Sequence, residues 1–319
     1  MPEKKSVSIA IAAYNGEKYI VQQLESLLNQ TFLPDEIIIC DDSDNDLTFK
    51  AIQNFLSGGR IKYHKNSRPL GIVKNFEKAV TLCRGEYIFM CDQDDLWLPE
   101  KVEVMCNRLS ADETLDCVFC NSILTDGNLE KLDKTLWDLR KFTPAMQKKL
   151  SSGGALEVFC RRVVCSGHNI AFKRRMLEYI LPFPDLEPFY PDTWIALSAA
   201  FNGKVQAVEQ NLTLYRIHNT NNSTPASGAL NAALKARRSS AAKRNHLIAG
   251  EILKRSKNNN LRKRKTLEKF ALHHLKRSLY SPHIFIRAVQ AMGQLIAWNY
   301  FRYSNGIRSF VADLIFRQY

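Results

Sequence analysis

Glu86–Pro99, EYIFMCDQDDLWLP, is an apolar run that breaks into three carboxylates within four residues. Glu86 to Cys91 reads as a short buried strand, because an apolar run of this length after Gly85 fits the interior of a parallel sheet. Asp92, Asp94 and Asp95 then stand at the strand's end. Three neighbouring acids repel one another unless a cation sits among them, and hard oxygen ligands suit Mg²⁺ or Mn²⁺. Such ions keep waters and take one or two carboxylates plus substrate phosphates, so a phosphate ester or nucleotide is the expected substrate. The plainer alternative is a polar loop capping the helix that Pro99 begins.

The residues before this stretch alternate strand and helix. Val7–Ala13 reads as a first strand; although Lys4 and Lys5 precede it, the run is too short for a signal peptide and leads into an amphipathic helix. That helix, after Gly16, places Ile20, Leu24, Leu27 and Leu28 on one face. Glu36–Cys40 is a second strand, running into Asp41-Asp42-Ser43-Asp44. Thr48–Leu56 fits a helix, Arg60–His64 a third strand, and Ile72–Cys83 a helix burying Val73, Phe76, Val80 and Cys83. The alternation predicts an α/β fold with a doubly wound, mostly parallel sheet and flanking helices. Ligands in such sheets bind beyond the carboxyl ends of the strands, where Asp41, Asp42, Asn66, Arg68 and the Asp92–Asp95 cluster would collect.

The charge is unevenly placed. The 319 residues carry a net +13, yet from Pro225 onward 19 Lys and Arg stand against Glu251, Glu268 and Asp313. The front part is mildly acidic and the tail strongly basic, which points to an anionic partner for the tail. Eight cysteines in a chain this long, mostly inside apolar runs, suit a reducing cytosol rather than a disulfide framework. Cys117 and Cys120 form one C-x-x-C with no second pair at zinc spacing, so packing explains them.

No G-x-G-x-x-G follows the first strand and no P-loop occurs, so phosphate would be held by a metal rather than a glycine cradle. A phosphatase of the haloacid dehalogenase type carries its D-x-D after the first strand; here it comes after three strand-helix units. A non-catalytic module, recognising a nucleotide with the front part and docking nucleic acid or membrane with the tail, would leave the paired strand-end acids idle.

The segments VSIAIAAYNG, EIIICDDSDND, NSRPLGIVKNFEKAVTLCRGEYIFMCDQDDLW, PDTW and YRIHNTN together resemble inverting glycosyltransferases of family 2 with the GT-A fold. The DQDDLW and YRIH spellings are most similar to a rhamnosyltransferase-like branch of bacterial surface polysaccharide synthesis. The resemblance runs from about Ser6 to Ser223. It implies a nucleoside-diphosphate sugar as donor, dTDP-rhamnose among them, and a hydroxyl of a glycan or polyprenyl-linked acceptor.

Residue by residue, the resemblance implies that Ala12, Tyr14 and Asn15 border the base and that Asp41 or Asp42 bonds base or ribose. Asn66, Arg68 and Gly71 border the nucleoside, Asp92 faces the ribose and metal shell, and Asp94 is the direct ligand of Mg²⁺ or Mn²⁺, with Asp95 behind it or capping a helix. His218 would add a metal or diphosphate contact. Gly167 and His168, in the turn Ser166–Asn169, would frame the acceptor. Asp192 would be the general base, with Trp194 a wall for the sugar. Where family members have His-Asp or Glu-Asp, this chain has Pro191-Asp192, which removes a polar neighbour and keeps the acid. One base and one metal imply in-line displacement with inversion.

Further along, Lys141–Ser152 reads as a polar, partly helical insertion, Glu157–Cys165 as a strand, and Pro182–Pro191 as a rigid loop. The expected organisation is a GT-A unit over 1–224, with a nucleotide half to about 110 and an acceptor half from 111, and a basic helical region over 225–319. Ala229–Ser256 and Leu261–Leu279 read as basic helices and His283–Phe316 as a more apolar one. Its longest uncharged stretch, Ala288–Phe301, is 14 residues between Arg287 and Arg302, short of the ~20 needed to span a bilayer. Basic helices with aromatic partners fit a peripheral anchor on anionic lipid at the cytoplasmic face of a bacterial plasma membrane. A helical subdomain packed on the sheet or on a second protomer is the alternative; no groove-reading motif for nucleic acid is present.

Overall fold

The computed structural model describes residues 5–186, 190–218, 230–281 and 283–315, with backbone alone over 230–240. Among the described residues nine strands form one sheet: β1 Val7–Ala13, β2 Glu36–Asp41, β3 Ile61–Lys65, β4 Tyr87–Cys91, β5 Leu96–Trp97, β6 Cys117–Thr125, β7 Lys131–Thr135, β8 Ile170–Lys173 and β9 Val205–Arg216. Their order is β3-β2-β1-β4-β8-β6-β9-β5, with β7 on β6. The first four are mutually parallel, as the strand-helix alternation requires. Beyond β4 the sheet is mixed: β8 runs antiparallel to β4 and β6, β9 parallel to β6, and β5 and β7 antiparallel to β9 and β6.

The apolar runs of β1, β2 and β4 are continuous because both faces are covered. On one face Ile9, Ile11, Ile37, Ile39 and Phe89 pack with Ile20, Leu24, Val102 and Met105. On the other, Ala10, Ile38, Ile88 and Met90 meet Phe76, Val80 and the helix Pro191–Asn202. Each fully buried Ile, Phe or Met contributes about 1.5–3 kcal/mol, so one-residue slips in register would be heavily penalised. Cys117 and Cys120, three apart on a strand, belong to opposite faces and cannot share a metal. All eight cysteines are buried and unpaired.

Two segments depart from expectation. Glu157–Cys165 is not a strand; a helix spans Ala155–Arg161, because Leu156, Phe159 and Cys160 recur at helical spacing and pack against the helix Pro191–Asn202. Val163 and Val164, which follow it, are β-branched and favour extended backbone. The described part of His283–Phe316, up to Ile315, is not one helix but three, Ile284–Ile296, Asn299–Tyr303 and Ile307–Ile315. Trp298 (φ 58°) and Gly306 (φ 61°) take left-handed backbone and turn the chain between them.

The helices Leu230–Arg255 and Leu261–Ser278 lie where the basic helices were expected and pack against one another. Ile248, Ile252, Leu267 and Phe270 join the same core as Trp194 and Phe159. The segment 219–229, which holds the expected boundary at 224, lies outside the described residues. Among the described residues no helix is long and apolar enough to cross a membrane.

Candidate functional site

The register of the parallel strands sets the site. Ala13 pairs Asp41, Asp41 pairs Lys65, and Ile11 pairs Cys91, so Tyr14, Asp42, Asn66 and Asp92 all emerge just past one edge of the sheet. Each of the first four strands thus delivers a polar side chain to the cleft where an open α/β sheet receives ligand.

At the β1–β3 end the groups hold each other. Asp41 Oδ1 accepts from the Ser43 N–H (2.9 Å) and hydroxyl (2.5 Å), and its Oδ2 from the Tyr63 hydroxyl (2.7 Å). Asp42 Oδ1 accepts from Asn66 Nδ2 (2.5 Å) and the Leu70 N–H (3.0 Å). Asn75, which the sequence does not single out, donates to Ala13 O (3.1 Å) and Cys40 O (2.9 Å) while accepting from Asn66 (2.8 Å). It therefore locks the ends of β1 and β2 to the loop after β3. Asn15 sits in left-handed backbone (φ 47°), with its N–H on Ser43 Oγ. Ala12 is partly buried in β1, while Tyr14 is 56% exposed, and Arg68 and Gly71 are exposed on the rim. Gln93 joins the Asp92–Asp95 turn to the end of β1 by exchanging two 2.9 Å hydrogen bonds with the Tyr14 backbone. A side chain on Gly16 would collide with Gln93 Oε1 at 2.5 Å.

The Asp92–Asp95 turn is gripped from β9. Arg216 donates its N–H to Asp95 Oδ1 (3.0 Å) and its Nε to Asp94 O (2.8 Å), and its guanidinium reaches Gln22 Oε1 (2.7 Å) and lies over the Tyr19 ring. His218 Nε2 lies 2.8 Å from Asp94 Oδ2, both side chains partly open to solvent. Two ligands on neighbouring corners of an octahedron with Mg²⁺ bonds of about 2.0–2.1 Å stand about 2.9 Å apart. The spacing of Asp94 and His218 therefore fits two positions on one divalent ion.

His168 sits beneath this turn rather than on an exposed acceptor rim. It is fully buried, its Nε2 lies 2.9 Å from Ser122 Oγ, and its ring stacks on Tyr215 at 4.7 Å. Its Nδ1 is 3.4 Å from Asp95 Oδ2 and 3.7 Å from Asp92 Oδ2. Asp92, Asp95 and His168 offer ligand atoms within 4.8 Å of one another. Asp95 and His168 are wholly enclosed, leaving no place for the waters a hard cation keeps. Burial, reinforced by Asp94 and Asp92, pushes the Asp95 carboxyl well up, and burial pushes His168 down. One proton held between Asp95 Oδ2 and His168 Nδ1, neither of which has a hydrogen-bond partner, would satisfy both. Behind them buried Lys101 donates to His168 O (2.7 Å) and Thr213 Oγ1 (2.9 Å). Gly167 faces Asp92: a Cβ there would stand 3.8 Å from its Oδ1.

Asp192 lies in the first turn of the helix Pro191–Asn202, bonded to the Thr193 N–H at 2.6 Å. Burial pushes its carboxyl up; the charge of Arg140 pulls the other way and that of Asp92 adds to the rise. It thus shares a field with the acidic turn across the cleft. Trp194 does not stand as a wall for a sugar. It is fully enclosed in the core with its indole N–H on Ile180 O at 2.8 Å, because position 194 falls on the helix's sheet-facing side.

Glycosyl transferase family 2 matches residues 8–181. The chain is 37% identical over 146 residues to chondroitin synthase of Escherichia coli, covering 44% of this chain and only 21% of that protein. It is 42% identical over 96 residues to an Escherichia coli UDP-Glc:alpha-D-GlcNAc-diphosphoundecaprenol beta-1,3-glucosyltransferase, WfaP, covering 30% of this chain and 38% of that one. Among solved structures, the mannosyltransferase PcManGT of Pyrobaculum calidifontis, in complex with GDP-Man and Mn²⁺, superposes with a TM-score of 0.58 at 18% identity, covering 93% of this chain and 76% of that one. The sheet order, its flanking helices and the match over more than half of the chain make the assignment plain: the protein has the GT-A fold and belongs to glycosyl transferase family 2.

Proposed function

We propose that the chain moves a sugar from a nucleoside-diphosphate sugar to a hydroxyl of a glycan or lipid-linked acceptor in surface polysaccharide synthesis, with inversion at the anomeric carbon. The observation that carries this reading is the Asp94–His218 pair at 2.8 Å on the sheet edge, with Asp92 beside it and Asp192 across the cleft. In this reading residues 1–224 hold both substrates and 225–319 form a helical region sharing their core.

Asp42, Asn66, Tyr14 and Asn15 border the nucleoside, with Arg68 and Gly71 on the rim. Asp94 and His218, with Asp92, would hold Mg²⁺ or Mn²⁺, and Asp95 with His168 fixes the turn from below. When bound, the ion would supply Lewis-acid stabilisation of the departing diphosphate. Asp192 takes the proton of the attacking acceptor hydroxyl, and its raised proton affinity suits it to that work. The names of the relatives speak of chondroitin and of glucosyl transfer, so UDP-sugars stand ahead of dTDP-rhamnose in a donor panel.

The tail supports peripheral attachment. On the helix Ile284–Ile296, Phe285 (84% exposed), Val289 (75%) and Ile296 (72%) open to one side at helical spacing, followed by Trp298 (62%). An apolar stripe on a strongly basic region fits the surface of an anionic bilayer.

Calorimetry with a panel of nucleotide-sugars plus Mn²⁺, followed by assay for released nucleoside diphosphate, tests the reading. Metal-dependent binding of one donor with turnover on an added acceptor supports it; no binding of any donor would overturn it.

A further inference from the structure

A cavity of about 500 Å³ opens between the helices Ala155–Arg161 and Pro191–Asn202 and the C-terminal helices. Lys141, Arg161, Arg162, Arg244, Arg277 and Arg308 line it, and no Asp or Glu does. Arg277 is neutralised by Asp313, which accepts from it at 2.7 and 2.9 Å. The other five have no carboxylate within salt-bridge distance among the described residues. Cations gathered in a partly enclosed space repel one another, and the partly buried Arg162 and Arg244 are met by neutral partners, Asn305 Oδ1 and the Tyr190 ring, rather than by a carboxylate.

One lining group points to a ligand independently of that count: Arg244 Nε is buried with no hydrogen-bond partner. Burial pushes the Arg162 guanidinium down, and Arg161, Arg140 and Arg308 push in the same direction; burial also lowers Arg244. An anion would reverse each of these costs. Phe159, Leu197 and Phe270 give the cavity apolar walls beside its charges, and its volume lies within the usual range of small-molecule sites.

Thr193 lines the cavity and is the next residue to Asp192, and the charge on Asp192 acts on Arg244. We infer that this cavity is an acceptor subsite that holds a phosphate or diphosphate group of the acceptor, placing the acceptor's hydroxyl end toward Asp192. The inference rests on the reading of Asp192 as the general base. A phosphate group, with several acceptor oxygens and more than one negative charge, is the chemistry that several guanidinium groups recognise.

The test uses the full chain and inorganic pyrophosphate, titrated calorimetrically in excess chelator so that no metal-bound site can take it. Binding at one site is expected, weakened roughly tenfold or more in Arg162→Gln/Arg308→Gln. The same variant should bind nucleotide-sugar plus Mn²⁺ as the wild type does, which also shows that it is folded; Arg308→Gln alone, at an exposed position, serves if the pair is unstable. Absence of pyrophosphate binding by the wild type, or equal binding by the variants, would overturn the subsite. Because this readout needs neither donor nor turnover, it fails separately from the glycosyltransfer reading. Competition then separates the sources. Tighter displacement by a prenyl-diphosphate sugar than by the matching sugar 1-phosphate assigns a lipid acceptor, equal displacement a soluble phosphate ester, and displacement by neither overturns the assignment to the acceptor.

Discussion

Asp95 Oδ2 faces His168 Nδ1 at 3.4 Å, both side chains fully buried and neither atom with a hydrogen-bond partner. The pair sets the acidic turn against the turn Ser166–Asn169 before β8. Asp95→Ala should cost about 3 kcal/mol or more of stability, since it removes the acceptor of the buried Arg216 N–H and the carboxylate oxygen nearest His168 Nδ1, at 3.4 Å against 3.7 Å for that of Asp92. Asp95→Asn should cost less and keep Mn²⁺-dependent donor binding. Urea denaturation and calorimetry read the two effects; loss of metal binding in a folded Asp95→Asn protein would place the ion at the buried trio instead.

Asp94→Asn and His218→Ala should each abolish metal-dependent donor binding, and wild-type activity should vanish in excess chelator. Manganese electron paramagnetic resonance, which counts bound ion without turnover, checks the assignment. Unchanged Mn²⁺ affinity in both variants would show that the 2.8 Å pair is a hydrogen bond and nothing more.

Asp192→Asn should lower kcat by about 10²–10⁴-fold and leave the donor's Kd near that of the wild type. The base works only when ionised, and burial raises its proton affinity. Wild-type kcat should therefore fall as the medium is acidified, with an apparent pKa above the ordinary carboxylate range, and a variant that loses donor binding instead would contradict the assignment.

The C-terminal helices carry their own pH dependence. His273 lies buried between Gln294 Oε1 (3.1 Å) and Ser304 Oγ (2.9 Å), and burial pushes it down to about 4 from 6.5. Unfolded chains bind the proton first as pH falls, so stability present above 6.5 is lost progressively down to about 4. The loss is on the order of 3 kcal/mol for this residue alone. Melting followed from neutral pH to pH 4 should show it, and His273→Gln should flatten the slope in that window.

Full-length protein should co-sediment with vesicles containing anionic lipid, less so as salt rises. Phe285→Ser/Ile296→Ser, at two of the most exposed apolar positions, should lose most of that binding with the melting temperature unchanged. Equal sedimentation of variant and wild type would remove the stripe from the interface.

The parallel half of the sheet was legible because its apolar runs are local and bounded by glycine or acid; β1 and β2 fall within a residue of where periodicity puts them. The mixed half was not, since β8, β6 and β9 are joined by pairings between residues far apart in the chain, and short strands such as Leu96–Trp97 exist only because β9 receives them. The acids of the site could be read from their positions at strand ends. Asn75, Gln93 and the burial of His168 and Trp194 could not, because each takes its meaning from a partner on another element. Arg216 lay in a recognised motif, yet nothing in its spelling told that it would clamp the acidic turn.

The enclosure of all eight cysteines has a practical consequence. Burial raises Cys40 to about 11 and Cys83 and Cys106 to about 12, so at neutral pH the folded chain presents essentially no thiolate to an electrophile. Alkylating reagents can reach sulfur only when structure opens, which turns the native thiols into eight built-in clocks of local opening. Cys91, Cys106 and Cys120 time one layer of the sheet, and Cys40, Cys83, Cys117, Cys160 and Cys165 the other. Mass-resolved labelling of unaltered protein would reveal whether the layer beneath the basic cavity breathes apart from the layer behind the nucleotide cleft.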